Sequence, residues 1–280
     1  MNLPLKLRET TGYCTPKGPA IGQAKTVCFT LDGCAIEFLA PRHKSSYPTR
    51  IERRPEHRYK LAEEYFETYP AVMDRWRFFP VFFRSWGFYG PWFTGRQAEL
   101  SFYIEVVRQA IPRDAVSFFH PRAFENIIAD FLTVQYDESK DSNETLWIAP
   151  VNWKVIASLP CVAAQLDVIP TSEHYFGETT KHVFFPIGDQ YLIHFGAKPH
   201  LFGDGNMEER AKHVNPAPME TLYKDIIASL KVTLSPEAQA QQAKALEGLT
   251  DTSLTPTFPP LKWGEDVGSQ SASYQQLQNS

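Results

Sequence analysis

Four histidines clustered in the second half of the chain are the side chains best suited to metal binding or to proton transfer near neutral pH. They are His174, His182, His194 and His200. A metal site would require three or four ligands at about 2 Å from one ion, and this spacing does not favour such a convergence. His182 and His194 flank a predicted hairpin turn at 188–189, where a register slip of one residue would place them on opposite faces. A structural or surface role is the first interpretation, and metal binding or proton transfer is the alternative.

Nucleophilic catalysis would require a serine or cysteine on an exposed turn with a base within hydrogen-bond reach. The chain has no G-x-S-x-G elbow. Cys28, Cys34 and Cys161 fall in apolar segments, where buried and inert thiols are usual, and Cys14 lies near a turn with no partner indicated. We therefore predict no catalytic residue, no metal site and no cofactor.

Lysine and arginine are most concentrated between positions 41 and 60, where seven of them are opposed by two glutamates. The first interpretation of this basic stretch is a solvated loop. The second is a docking surface for an acidic protein partner. Nucleic acid comes third, because the chain as a whole is acidic and nucleic-acid readers usually add stacking aromatics or a groove-binding helix.

Ten aromatic residues lie between positions 76 and 93, interrupted by two glycines and two prolines. The interruptions predict a strand, a turn and a loop rather than one long element. Rings on a turn cannot all point inward, and exposed Trp, Tyr and Arg carry most of the energy of protein interfaces. The predicted partner-binding residues of this loop and of the basic stretch are Arg50, Arg53, Arg54, Arg84, Trp86, Tyr89 and Trp92.

Strands and helices that could position these side chains are visible in the first half. Two apolar runs joined by Asp32-Gly33 predict a β-hairpin at about 26–39. Apolar residues at helical spacing predict a short amphipathic helix over 61–69 and a longer helix from Pro121. Between them, residues 98–106 alternate between apolar and polar side chains, which is typical of a half-buried strand.

The second half follows a polar linker at 137–145 and contains several strand-like segments punctuated by prolines. An apolar stripe at 222–230 and the Ser-Pro-Glu start at 235 predict two further helices. The predicted fold class is α+β, with antiparallel sheets and flanking helices. Residues 81–106 and 183–197 share a strand, turn and aromatic strand pattern, which raises the alternative of two related halves. The predicted divisions are an N-terminal half at 1–136, a C-terminal half at 146–249 and a loosely structured polar tail at 250–280.

The length and composition limit the classes of function. A chain of 280 residues can bury a substantial core, and a formal net charge of −4 is too small to indicate general affinity for nucleic acid. The first twenty residues contain charge, Gly and Pro where a secretion signal needs an apolar run, and no stretch reaches the length of a membrane span. The scattered cysteines are typical of reduced thiols. We therefore expect a cytoplasmic protein without a membrane association.

Two segments of the second half carry a recognisable strand-and-turn pattern: WIAPVNWKVIASLPCVAAQLDVIP at 147–170 and KHVFFPIGDQYLIHFGA at 181–197. In these segments the chain resembles uncharacterised proteobacterial proteins, some of which are similar to immunity proteins of type VI secretion or other contact-dependent toxin systems. The resemblance includes no signature residue. It implies a cytoplasmic protein that binds a cognate toxin and covers its active site or substrate path, with no catalytic residues of its own.

The leading hypothesis from the sequence is thus a non-enzymatic protein-binding module that neutralises a bacterial toxin. Its protein partner would contact the exposed aromatic and arginine side chains and would carry complementary charge. One alternative is a hydrolase-type enzyme whose histidines and carboxylates are brought together by the fold, which a deep pocket lined by His182 or His194 would favour. Another is a structural component of a phage or secretion apparatus. The pattern does not indicate the oligomeric state.

Overall fold

Strands and helices are mixed along the chain, which confirms the predicted α+β class. Two sheets and four α-helices occur in the part of the chain that this computed structural model describes. The described residues are 12–45, 51–52, 58–61, 66, 75–91, 94–111, 116–137, 146–171 and 177–263.

The predicted hairpin at the start of the chain is confirmed and forms the centre of a four-stranded sheet. Its turn is tight because Asp32 and Gly33 both adopt positive φ angles, 44° and 80°, which matches the right-handed twist of the flanking strands. A short strand from the C-terminal half pairs with one side of the hairpin, and a short parallel strand pairs with the other. In sheet order the strands are β11 (Lys231–Thr233), β2 (Cys34–Ala40), β1 (Lys25–Leu31) and β4 (Arg58–Tyr59).

A seven-stranded antiparallel sheet contains strands from both predicted halves of the chain. The halves meet at its centre, where β6 pairs with β10 from Ala98–Leu201 to Val107–Leu192. The two similar hairpins noted in the sequence therefore lie side by side in one sheet. In sheet order the strands are β3 (Ile51–Glu52), β5 (Trp76–Tyr89), β6 (Arg96–Gln109), β10 (Tyr191–Leu201), β9 (Thr180–Gly188), β8 (Ala164–Pro170) and β7 (Trp147–Val155).

Strand β5 corrects the prediction that the aromatic stretch is broken into a strand, a turn and a loop. The strand runs unbroken through Pro80 and Gly87 as far as Tyr89. A register shift between Pro80 and Phe82 marks a β-bulge, a position that tolerates the missing N–H of proline. At Gly87 the side chains of Tyr89 and Arg96 pack over the backbone. The turn therefore begins only after Tyr89.

Both faces of the seven-stranded sheet are covered, which explains why its strands contain continuous apolar runs. The neighbouring residues Phe184 and Phe185 belong to two different cores. Phe185 faces the core between the two sheets, where the rings of Phe38, Phe102 and Phe195 pack together. Phe184 faces the core that lies beneath the first helix.

Four α-helices flank the sheets in the described part of the chain. The longest begins at the predicted proline, and the His120 imidazole caps it by accepting hydrogen bonds from two backbone N–H groups. The two predicted C-terminal helices are also confirmed. The amphipathic helix predicted at 61–69 lies mostly outside the described residues. The helices are α1 (Pro121–Tyr136), α2 (Met207–Ala211), α3 (Ala217–Ala228) and α4 (Pro236–Leu246), and a 3-10 turn spans Ile21–Gln23.

The described part of the predicted tail, residues 250–263, has no helix or strand but is held by specific contacts. The indole N–H of Trp153 donates to the Thr255 carbonyl at 2.8 Å, and the Leu261 N–H donates to the Ala149 carbonyl at 2.7 Å. This described segment is therefore anchored on β7. Among the described residues, no helix has both the length and the apolar character needed to cross a membrane.

Candidate functional site

A chain of four polar side chains crosses the face of the seven-stranded sheet that α1 covers. The Tyr136 hydroxyl lies 3.1 Å from Nε2 of His182, and Nδ1 of His182 lies 2.8 Å from Nε2 of His194. Nδ1 of His194 lies 2.8 Å from a carboxylate oxygen of Glu105. We refer to Tyr136, His182, His194 and Glu105 as the histidine chain.

The two histidines share a face because of a β-bulge beside the β9–β10 turn. Tyr191 pairs with Gly188 but Leu192 pairs with Pro186, so Ile187 is the additional residue on β9. Without it every later pair would shift by one, and His194 would share its face with Phe185 instead of His182. With the bulge His194 lies opposite Phe184, two residues from His182 on the same face.

The chemistry of the end groups determines which atoms carry the protons. A carboxylate only accepts, so Nδ1–H of His194 donates to Glu105. Nε2 of a neutral His194 then accepts from Nδ1–H of His182, and Nε2 of His182 accepts from the Tyr136 hydroxyl. The Tyr136 oxygen in turn accepts from Thr180. All of these bonds are satisfied when both imidazoles are neutral and carry their proton on Nδ1.

Burial holds both imidazoles in the neutral form. Each histidine is 0% exposed. Loss of solvation, with a further contribution from the Lys198 cation, lowers the pKa of His194 to about 3. Burial, His194 and Lys198 lower the pKa of His182 well below its usual range. Burial likewise raises the pKa of Tyr136, so its hydroxyl remains a donor at neutral pH.

Aromatic rings close the histidine chain on several sides. The Phe184 ring stacks on the His194 imidazole with centroids 4.7 Å apart, and Phe131 of α1 meets the same imidazole edge-on at 5.0 Å. Tyr103 contacts it from β6, and the Tyr103 ring lies so close to Gly196 that a Cβ there would be 2.0 Å from Cζ. A glycine at position 196 is therefore what allows Tyr103 to cover this end of the chain.

Two surface cavities in the described part of the protein lie away from these histidines. One surface cavity of about 240 Å³ lies between the β9–β10 turn and the start of α4, and another of about 260 Å³ lies beside residues 41–44. Neither cavity is lined by His182 or His194.

Within the described ranges, no group of three or more His, Cys, Asp or Glu side chains could hold a metal ion. Burial also raises the pKa of the Cys161 thiol to about 12, so it is not a thiolate at neutral pH.

A second candidate site is an exposed basic surface at the outer edge of β5. The Tyr89 side chain is 39% exposed, and the Lys44 ammonium lies 5.8 Å from the centre of its ring. Lys17 and Arg42 are also exposed. Among the described residues none of these three cations forms an ion pair with a carboxylate. We refer to Lys17, Arg42, Lys44 and Tyr89 as the Tyr89 surface.

Backbone hydrogen bonds to β5 hold the Tyr89 surface in place. Lys17 and Tyr89 exchange two N–H to carbonyl bonds, both 2.8 Å long. The Lys44 N–H donates to the Ser85 carbonyl at 3.1 Å, and the Gly87 N–H donates to the Lys44 carbonyl at 2.7 Å. The basic side chains are therefore displayed from a rigid strand edge.

Two of the predicted partner-binding residues support this surface from behind. Trp86 is 0% exposed, and its indole N–H donates to the Arg42 carbonyl at 3.0 Å. The prediction that Trp86 lies exposed on a turn is wrong, because β5 continues through it. Arg84 is half-buried and donates to the Pro41 carbonyl at 2.6 Å. Both side chains position the segment that carries Arg42 and Lys44.

The remaining predicted contact residues divide into two groups. Tyr89 is exposed as expected, although its role in contact stays a prediction. Sequence reasoning had not assigned Lys17 to this surface, because only its pairing with Tyr89 brings it there. Arg50, Arg53, Arg54 and Trp92 lie outside the described residues.

Comparison of the chain with protein-family models, with curated proteins and with solved structures gives no match.

Proposed function

We propose that this chain is a non-enzymatic protein-binding module, namely an immunity protein that neutralises a cognate bacterial toxin by covering its active site. The observation that carries the proposal is the Tyr89 surface. There, an exposed tyrosine lies beside Lys17 and Lys44, and Arg42 is exposed on the same segment as Lys44. None of the three cations has a carboxylate partner among the described residues.

The construction of this surface suits recognition of a protein. A tyrosine offers a large amphipathic contact with few rotatable bonds, and cations around it can pair with carboxylates of a partner. Because the Lys17 and Lys44 backbones are already bonded to β5, little ordering of the backbone is required on binding. Preorganisation of this kind supports tight association over an interface of ordinary size.

The position of the ionisable groups also supports binding over catalysis. The histidine chain, whose bonds are internally satisfied, lies beneath rings of α1 and β6. The accessible charges of the Tyr89 surface are instead all of one sign, which suits an acidic surface of a partner. We propose that the partner is a toxin delivered by type VI secretion or another contact-dependent system, and that binding takes place in the bacterial cytoplasm.

The test is binding of the protein to the product of the adjacent gene. We expect a one-to-one complex whose association slows as salt is added, because exposed cations steer the encounter. The double variant Lys17→Glu/Lys44→Glu should weaken the affinity by about tenfold or more. Tyr89→Ala should increase the dissociation rate.

Lys231→Glu is the matched control, because Lys231 is exposed on the other sheet. This control variant should bind the partner as tightly as the unaltered protein does. If the unaltered protein fails to bind the neighbouring product or to protect cells from it, the immunity function is wrong. If the complex forms but the double variant and the control bind equally well, the function stands and the Tyr89 surface is wrong.

A further inference from the structure

The histidine chain connects α1 to three strands of the seven-stranded sheet. Tyr136 is the last residue of α1, His182 lies on β9, His194 on β10 and Glu105 on β6. These side chains form a continuous hydrogen-bonded link from the helix across the sheet. The link therefore contributes to holding the C-terminal end of α1 in place.

The number of protons that this link can accept is limited by its geometry. One additional proton on His194 would meet Nδ1–H of His182 at 2.8 Å, so every bond as far as Thr180 would have to reverse. Two additional protons would place N–H against N–H across that same contact. The contact cannot persist when both imidazoles are charged.

Among the described groups that face the imidazoles, a compensating charge is present only at the His194 end. Lys198 of β10 opposes protonation of the imidazoles, whereas the Glu105 carboxylate of β6 favours it at the His194 end. The Tyr136 hydroxyl of α1 and Tyr103 of β6 are neutral, because burial raises the pKa of both. On β8 the residue opposite His182 is the apolar Leu166.

We propose that the histidine chain is an acid-sensitive lock, which holds α1 on the sheet at neutral pH and releases it when both imidazoles take up protons. The lock is independent of the proposed partner, since it involves only residues of the core beneath α1. Acidification would then release α1 from the sheet before the rest of the protein opens.

The direction of the effect follows from proton linkage. Histidine in an unfolded chain has a pKa of about 6.5, and burial lowers the pKa of both histidines in the folded protein. Above about pH 7 neither state binds the protons, so the pair adds no pH dependence. Below about pH 6.5 the released state binds them and the folded state does not. The opening constant therefore increases by up to about tenfold per pH unit for each histidine, until pH approaches the folded pKa.

Hydrogen exchange at pH 7.5 and pH 5.0 tests the lock. After correction for intrinsic exchange rates, the opening constant of α1 amides should increase by about tenfold or more at pH 5.0. The increase in the β1–β2 hairpin should be smaller, because no member of the histidine chain lies in it. The double variant His182→Gln/His194→Gln should lose most of the increase in α1. The control His213→Gln, which alters an exposed histidine, should retain it.

Imidazole NMR of the unaltered protein gives a test that does not depend on the variant folding. Both rings should remain neutral, with the proton on Nδ1, from pH 7.5 down to pH 5.0. A ring that titrates near pH 6.5 in the folded protein would overturn the proposal. An unchanged α1 opening constant, or the same increase in the double variant as in the unaltered protein, would also overturn it.

Discussion

The histidine chain and the Tyr89 surface place charged and polar side chains in opposite environments. In the histidine chain every member has a hydrogen-bond partner in the protein, and both imidazoles are fully buried. In the Tyr89 surface three cations face solvent and form no ion pair with a carboxylate among the described residues. Both regions lie on the seven-stranded sheet, one on its face and the other at its edge.

The difference separates side chains that contribute to stability from side chains that remain accessible to solvent. Leaving a buried polar group unsatisfied costs about 1–3 kcal/mol, so the complete hydrogen bonding of the histidine chain favours its stability. An exposed cation contributes little to stability and remains available to a partner. Substitutions in the two regions should therefore separate folding from binding.

The largest loss of stability is expected from Gly196→Ala. The new Cβ would lie 2.0 Å from Cζ of Tyr103, so the ring that covers His194 must move. Forced repacking of this kind costs about 1–3 kcal/mol, which urea denaturation measures as a reduction in the free energy of unfolding. Gly22→Ala is the control, because a Cβ there meets nothing within 4 Å and should change stability by less than about 0.5 kcal/mol. If both substitutions reduced the free energy of unfolding equally, the close packing of Tyr103 against Gly196 would not contribute to stability.

A smaller loss is expected from Tyr136→Phe, which removes one hydroxyl and leaves the ring. His182 Nε2 then loses its donor in a buried site, and stability should fall by about 1–2 kcal/mol in the same denaturation assay.

Tyr223→Phe is the matched control for the loss of a buried tyrosine hydroxyl. The Tyr223 hydroxyl is buried and has no hydrogen-bond partner among the described residues, so its removal should be neutral or slightly stabilising. If Tyr136→Phe is as mild as Tyr223→Phe, the link between α1 and His182 is not a working hydrogen bond.

The smallest effect on stability is expected from Lys17→Glu/Lys44→Glu. Only the exposed contact between Lys44 and the Tyr89 ring is lost, so the free energy of unfolding should change by less than about 1 kcal/mol. Thermal or urea unfolding measures this directly. A loss as large as that of Gly196→Ala would show that these cations serve folding, and the contrast between the two regions would fail.

Local sequence patterns predicted many of the strands, turns and helices, because alternation, turn residues and helix caps each depend on a few adjacent residues. The alternation at 98–106 placed Leu100, Phe102 and Ile104 on one face and Glu105 on the other, and the structure confirms both faces. The histidine chain could not be recognised from the sequence, however, because His194 lies 89 residues from Glu105, on a strand that only the tertiary structure brings beside β6. The aromatic stretch was misread for a related reason, since a bulge lets β5 continue through Pro80.

The sequence by itself determined the class of fold, the hairpin at Asp32-Gly33 and the start of α1 at Pro121, since turns and caps depend on a few adjacent residues. Only the tertiary structure decided that His182 and His194 meet, that Trp86 is buried and that Lys17 lies beside Tyr89. Those outcomes depend on the register and pairing of distant strands. A single additional residue in β9 exchanges the two faces of every later pair, and no local pattern specifies it.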